Sequence, residues 1–424
     1  MQSPIPGYLE TILDSVRADT SGHVADYIPE LADSDPKPLG LAMCTFGGNL
    51  YSVGDDGTEF TIQSVSKPFV YALALQRRGW NKVQQTVGTE PSGEAFNELS
   101  LDRNTKRPMN PMINAGAIAV NQLINGEDSS VEDRVEEIRE FFSALAGREL
   151  SINRALCESE LETADRNLSI AHMLRNYDVI QDAAHDAVRS YTLQCAIEVD
   201  VRDLAIMSAT LANGGVQPIT GQKILNPDVC RMALAVMASA GMYDAAGRWM
   251  TTVGIPAKSG VGGGLIGTLP GQLGIATFSP RLDIQGNSVR GVKIFQKLSK
   301  DMGLHLMAAE PQGEYALRNI HTEGQDSVIR LQGKVNFPAA ESILDEMVDH
   351  DFTGQRLVLD ISRVSSFNRM GRRLIKEGLR SLREEGFEVA IYDPEDILKD
   401  LQYSDGTEAE TLGSLESRSL EEKD

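Results

Sequence analysis

Ser64-Val65-Ser66-Lys67 sets a hydroxyl and an amine three residues apart, where the apolar run Phe60 to Ile62 gives way to a helical pattern. On a helix, residues i and i+3 share a face, so the Lys67 amine reaches the Ser64 Oγ as a base reaches its nucleophile. The free N–H groups of a helix N-terminus favour developing negative charge, and a partly desolvated lysine gives up its proton more readily. Ser-x-x-Lys is thus the minimum equipment for serine acyl transfer; alone, it equally describes an ordinary capped helix start. A second motif, Lys258-Ser259-Gly260, follows Val253-Gly254-Ile255-Pro256-Ala257 and precedes Val261-Gly262-Gly263-Gly264. It reads as a strand edge ending in a glycine-rich turn. Glycines there let backbone N–H groups approach an oxyanion closely, although a plain hairpin turn has the same composition. The two motifs in this order are far more specific than either one.

As a pair they resemble the Ser-x-x-Lys and Lys-[Ser/Thr]-Gly motifs of penicillin-recognising serine enzymes. The surrounding segments, from about Tyr8 to about Met307, are instead similar to the serine-dependent glutaminases, a family sharing that fold. They include Asp26-Tyr27-Ile28-Pro29-Glu30-Leu31-Ala32, Gln63-Ser64-Val65-Ser66-Lys67-Pro68, Glu90-Pro91-Ser92-Gly93 and Asn110-Pro111-Met112-Ile113-Asn114-Ala115-Gly116-Ala117-Ile118. Further on come Ser159-Glu160, Asp165-Arg166-Asn167, Tyr191-Thr192-Leu193-Gln194-Cys195, Thr210-Leu211-Ala212-Asn213-Gly214-Gly215 and Gly241-Met242-Tyr243-Asp244. The resemblance implies that Ser64 attacks the side-chain amide of glutamine while Lys67 takes its proton, with the N–H groups of Ser64 and Val261 as the oxyanion hole. It implies Asn114, Glu160, Asn167, Tyr191 and Tyr243 as substrate-binding residues. Glu160 suits an α-ammonium, and amide and phenol donors suit an α-carboxylate. Tyr243 and Tyr27 are phenols able to relay a proton to departing ammonia. No cofactor is implied, and a homo-oligomer is expected. Two other readings compete: a penicillin-recognising serine hydrolase, against which Glu160, Asn167 and the Tyr191 segment count, and a non-catalytic binding protein, which needs none of these motifs.

The chain has 424 residues, enough for two or three domains, and a net charge of −21 that argues against nucleic acid or anionic membranes as partners. No apolar run approaches the ~20 residues of a membrane span, and the first residues lack a signal pattern, so a cytoplasmic enzyme is expected. Cys44, Cys157, Cys195 and Cys230 are scattered and predict buried free thiols. Six dispersed histidines make a zinc site unexpected.

The elements that must position these groups read as a mixed α/β catalytic domain over 1–307. Helical spacing covers Pro6 to Arg17, and two strands flank Gly47-Gly48 between Leu39 and Val53. Pro68 fits only a first helical turn. Pro111 to Leu123 reads as a central buried helix, Val131 to Ala240 as mostly helical, Gly254 to Phe278 as strands and Val289 to Met302 as an amphipathic helix. Helices on both faces of one sheet follow, the β-lactamase/DD-peptidase-like arrangement that the resemblance implies. A polar stretch at 308–325 reads as a linker. Alternating strands and helices over 326–402 suggest a small α/β module that resembles a STAS domain through Leu357-Val358-Leu359-Asp360-Ile361-Ser362 and Gly371. The serine-bearing loop expected before Gly371 reads Asn368-Arg369-Met370, which favours an interaction or packing role over phosphorylation switching. The acidic segment 403–424 is expected to be disordered.

Overall fold

The computed structural model describes residues 3–26, 28–93, 97–126, 129–308, 316–354 and 356–413. The chain divides into two compact units, one spanning 9–297 and the other combining 1–8 with 298–424.

In the larger unit the chain runs through α1 (Ile5–Arg17, whose first residues fall in the other unit), α2 (Pro29–Ala32), β1 (Gly40–Thr45), β2 (Leu50–Gly54) and β3 (Phe60–Thr61). It continues through α3 (Ser66–Thr86), α4 (Asn114–Asn121), α5 (Val131–Ala146), α6 (Arg154–Glu162), α7 (Asp165–Asn176), α8 (Ala184–Cys195) and β4 (Glu198–Val199). Last come α9 (Val201–Ala212), α10 (Pro227–Ala240), α11 (Ala246–Thr252), β5 (Ala257–Ser259), β6 (Gly264–Leu269), β7 (Leu273–Phe278) and α12 (Val289–Met302).

The main sheet has the order β2-β1-β7-β6-β5, antiparallel throughout, with Met43 opposite both Tyr51 and Ile275 and Gly264 opposite Phe278. Every residue of β1, β5, β6 and β7 is buried, the mark of a sheet covered on both sides. On one face lies α9: Ser208 bonds Thr268 (2.7 Å) and the Gly267 carbonyl (3.0 Å). A Cβ at Gly274 would sit 2.2 Å from the Ala209 nitrogen, so only glycine admits the helix this closely. On the other face Phe295 of α12 fills the space above Gly267. The expected two-sided covering is therefore present. α4 is buried at all eight positions, shorter than the 111–123 reading because residues 111–113 form the approach to its N-terminus.

One core cluster joins the sheet to α3, α9 and α10 through Val65, Phe69, Leu204, Leu234 and Ile266. A second lies under α4, α7 and α8, around Ile118, Ile170 and Val188. Complete burial of a side chain such as Phe69 contributes roughly 1.5–3 kcal/mol, so the elements carrying the site are firmly anchored.

The C-terminal module comprises β8 (Leu317–Glu323), β9 (Asp326–Val335), α13 (Phe337–Asp349), β10 (Arg356–Phe367), α14 (Arg369–Glu384), β11 (Glu388–Tyr392) and β12 (Glu410–Thr411), with sheet order β12-β11-β10-β9-β8. β9, β10, β11 and β12 run parallel, and β8 is antiparallel to β9. Two sequence boundaries shift. β8 lies inside the stretch read as a linker, since its polar residues alternate on an edge strand. The disorder expected from 403 does not hold for 403–413, where Tyr403 is 3% exposed and β12 pairs with β11. Residues 309–315 and 414–424 lie outside the described set. Asn368 caps α14, its Oδ1 accepting from the Gly371 N–H at 2.6 Å, and so fills structurally the position where a serine was sought.

Candidate active site

Ser64 lies in a 3-10 turn, Gln63–Val65, one residue ahead of α3, and Lys67 falls in the first turn of that helix. Pro68 follows at a position where its missing N–H has no cost. Gln63 takes φ +50°, a left-handed conformation that costs a non-glycine residue about 1–3 kcal/mol and recurs at functional sites. The glycine-rich turn after edge strand β5 packs directly on this one: a Cβ at Gly260 would come within 3.1 Å of the Val65 side chain and 3.4 Å of its nitrogen. Gly260 N–H bonds the Gly264 carbonyl (2.9 Å) and Gly263 N–H bonds that of Gly260 (3.0 Å), which fixes Val261 at the turn's apex.

Ser64, Asn114, Glu160, Asn167, Tyr191 and Val261 line one cavity of about 250 Å³, together with Gln63, Asn97, Thr163, Ala164 and Arg166. They arrive from six places: the Ser64 turn, the first residue of α4, the end of α6, the start of α7, the middle of α8 and the β5 turn. Asn114 is the hub. Its Oδ1 accepts from Lys67 Nζ (2.7 Å) and from Tyr191 OH (3.4 Å), and its Nδ2 donates to Asn167 Oδ1 (2.9 Å). Lys67 Nζ also donates to the Met112 carbonyl at 3.2 Å. Lys67 and Tyr243 do not line the cavity; they reach it through Asn114 and through a hydrogen bond between Tyr243 and Ser64. Tyr243, itself at φ +52°, donates to the Ser259 carbonyl at 2.9 Å. Tyr27 lies outside the described residues.

The electrostatics follow from burial. Lys67, 1% exposed, is brought down to about 8 by desolvation, against the pull of Cys195 and Glu160. Glu160 rises to about 7 for the same reason, opposed by its hydrogen bond from Gln63 and by Lys67. Burial, with the like charge of Lys67 second, holds Lys258 well below the usual lysine range. Its Nζ donates to the Ser259 carbonyl (2.6 Å) and lies 4.0 Å from the Tyr243 ring centroid. Desolvation raises Tyr191 and Tyr243 and pushes Cys195 up to about 12. Lys67 and Glu160 are thus both poised to change charge near neutrality, beside a second buried lysine whose proton affinity is also lowered.

The residue-by-residue reading missed Gln63 as a wall residue, with Nε2 3.4 Å from Glu160 Oε2. It also missed the relay behind it. Ser190 Oγ donates to Asn121 Oδ1 (2.7 Å), Asn121 Nδ2 to Gln194 Oε1 (3.0 Å), Gln194 Nε2 to Ser66 Oγ (2.9 Å), and Ser66 Oγ to the Gln63 carbonyl (2.7 Å). All four side chains are fully buried, and the chain of bonds ends on the strained residue before Ser64. The available signal was polar residues at i and i+4 (Ser190, Gln194) on a helix face that otherwise packs inward. All four cysteines are free and buried. Among the described residues no His/Cys/Asp/Glu cluster suits a metal ion, and no helix is long and apolar enough to cross a membrane.

The glutaminase family model matches residues 22–307 and the STAS domain model residues 318–406. The chain is 68% identical over 406 residues to a glutaminase of Corynebacterium efficiens, covering 96% of each. It is 47% identical over 310 residues to a glutaminase of Microcystis aeruginosa, covering 73% of this chain and 91% of that one. Among solved structures, that of Mglu superposes with TM-score 0.72 at 50% identity, covering 94% of this chain and 100% of that chain. The probable glutaminase ybaS gives 0.68 at 36% identity, covering 72% and 98%. The chain belongs to the glutaminase family and carries a C-terminal STAS domain.

Proposed function

We propose that this chain hydrolyses L-glutamine to L-glutamate and ammonia through an acyl-enzyme on Ser64. Family membership carries the reaction. The observation that supports the route is the convergence of Ser64, Glu160, Asn114, Asn167 and Tyr191 on one small cavity, with Lys67 and Tyr243 bonded to its wall. Neutral Lys67 takes the Ser64 proton as Oγ attacks the side-chain amide carbon. The Ser64 and Val261 N–H groups hold the oxyanion. Tyr243 passes a proton to the leaving nitrogen, with Tyr27 assigned the same role, and ammonia departs; the proton held by Lys67 then restores the phenol, leaving Lys67 neutral again. Water then adds to the glutamyl ester, its proton goes to Lys67 and back to Ser64, and glutamate is released. Glu160 carboxylate receives the substrate ammonium, while the amide groups of Asn114 and Asn167 and the Tyr191 phenol receive its carboxylate.

We read the catalytic fold as that of penicillin-recognising serine enzymes: Ser64 lies just ahead of a helix beside an antiparallel sheet, and Lys258-Ser259 lies in its edge strand with Gly260 opening the turn that follows. Free buried thiols support a cytoplasmic setting; sedimentation tests the expected homo-oligomer. The route is tested by partitioning with hydroxylamine. Glutamine and a γ-glutamyl ester should give the same ratio of hydroxamate to glutamate, because both pass through one acyl-enzyme. Ratios that differ between the two substrates overturn it.

A further inference from the structure

α14 is amphipathic: Met370, Leu374, Ile375, Leu379 and Leu382 are buried in the module, while Arg369, Arg372, Arg373 and Lys376 share its other face by i, i+3 and i+4 spacing. That face forms one wall of a cavity of about 620 Å³, and Asp400, Gln402, Tyr403 and Ser404 form the other. The second wall is fixed. Tyr403 N–H bonds the Thr407 carbonyl (2.8 Å), Arg383 donates to Thr407 Oγ1 (2.8 Å), and the Arg383 guanidinium lies 5.1 Å from the Tyr403 ring centroid.

Pairing the charges leaves a remainder. Lys376 meets Asp400 (3.0 Å), Glu377 is taken by Arg380 (2.8 Å), and Arg369 meets Asp301 (3.3 Å). Among the described residues Arg372 and Arg373 form no close ion pair: Arg372 acts on Asp400 only through its field, and the Arg373 guanidinium lies 5.3 Å from the Tyr8 ring centroid. Four cations line the cavity against two carboxylates, a local positive excess in a chain of net charge −21. Two groups at this cavity have donor capacity left over: Arg372 Nε has no hydrogen-bond partner, and the hydroxyl of Tyr403, a residue 3% exposed, accepts from Arg383 and keeps its own proton to donate. A buried donor left unmade carries a desolvation cost that a bound acceptor removes.

We propose that this cleft is a binding site for a small phosphate-type oxyanion carrying at least two negative charges, held by Arg372, Arg373 and the Tyr403 hydroxyl. Guanidinium forks match tetrahedral oxyanions in geometry as well as charge, and a phenol donor completes the contact. The cavity has room for more than one phosphate group, and the site is separate from the residues that line the cavity at Ser64.

Calorimetric titration of the full chain with inorganic pyrophosphate, with ionic strength held constant by sodium chloride, tests this. The expected result is saturable binding with Kd of about 0.1–1 mM. It should weaken about tenfold in Arg372→Gln, the loss of one charge-assisted contact, and severalfold in Tyr403→Phe. Glutamine turnover measured without pyrophosphate should match the parent in both variants. Tyr403→Phe keeps the ring and serves as the second probe should Arg372→Gln fold poorly. Heat that does not saturate, or binding unchanged in both folded variants, overturns the proposal.

Discussion

The cavity at Ser64 and the α14 cleft both assemble charged side chains, and they do so by opposite means. Around Ser64 the charges are inside the protein. Lys67, Lys258 and Glu160 are at most 9% exposed, their proton affinities are displaced by burial, and the backbone is strained at Gln63 and Tyr243. Along α14 the charged groups sit on a helix surface over an apolar base, mostly in ion pairs with neighbours such as Asp400 and Asp301. Exposed pairs of that kind contribute little, because water and salt screen them. The lesson is that chemistry needs desolvation, which costs stability, whereas holding an anion needs only a field and a few aimed donors.

If that contrast is right, substitutions in the first region should change turnover steeply and those in the second hardly at all. The largest effect is expected for Ser64→Ala, which should lower kcat by a factor of at least ~10³ with an unchanged circular dichroism spectrum; Lys67→Ala should approach it, since the two act as a unit. Residual activity above about a tenth of the parent would remove Ser64 from its role. Glu160→Gln keeps the shape but loses a charge-assisted bond worth roughly 1.5–3 kcal/mol, so kcat/KM should fall about ten- to a hundredfold. An unchanged value would mean that the substrate ammonium binds elsewhere.

The pH dependence sharpens the same point. Lys67 must be neutral to act, and its affinity for the proton is centred at about 8. Turnover should therefore rise about tenfold from pH 7 to pH 9, as the neutral fraction grows. Glu160, at about 7, must be ionised and adds a second limb below that. A rate flat from pH 6 to pH 9 would contradict the buried base.

A smaller effect is expected for Gln194→Leu, which cuts the relay to the Gln63 carbonyl. It leaves Ser66 and Asn121 short of a partner, so kcat should fall severalfold to about tenfold with KM little changed, and Tm by several degrees. Loss confined to Tm would reduce the relay to ordinary packing. The smallest effect is that of ending the chain near Gly313. The Microcystis aeruginosa relative, 91% of which matches only 73% of this chain, gives reason to expect glutamine turnover within about a factor of two. An inactive but folded truncation would show that the module completes the site.

Much of this was legible in the sequence because local chemistry and tertiary role coincide there. Ser64, Lys67 and Lys258-Ser259-Gly260 are short motifs whose spacing carries their meaning, and the helix at Val289–Met302 has the boundaries its periodicity predicts. What escaped depends on packing. Gln63 looks like any polar residue until its positive φ and its contact with Glu160 are known. Ser190, Asn121 and Gln194 are far apart in the chain and meet only in the folded core. β8 and the ordered stretch 403–413 are polar edge segments, whose order comes from pairing with β9 and β11 rather than from their own apolar content. The α14 cleft was invisible for the same reason: basic residues on a helix face usually mean only solvation, and the wall that makes them a cavity comes from residues 400–404.

The most direct test of the central claim is to catch the acyl-enzyme. Enzyme mixed with a γ-glutamyl ester and quenched in acid within one turnover should carry a glutamyl group that peptide mass mapping places on Ser64, and Ser64→Ala should carry none. A glutamyl group on any other residue, or equal labelling of the parent and Ser64→Ala, would contradict the account.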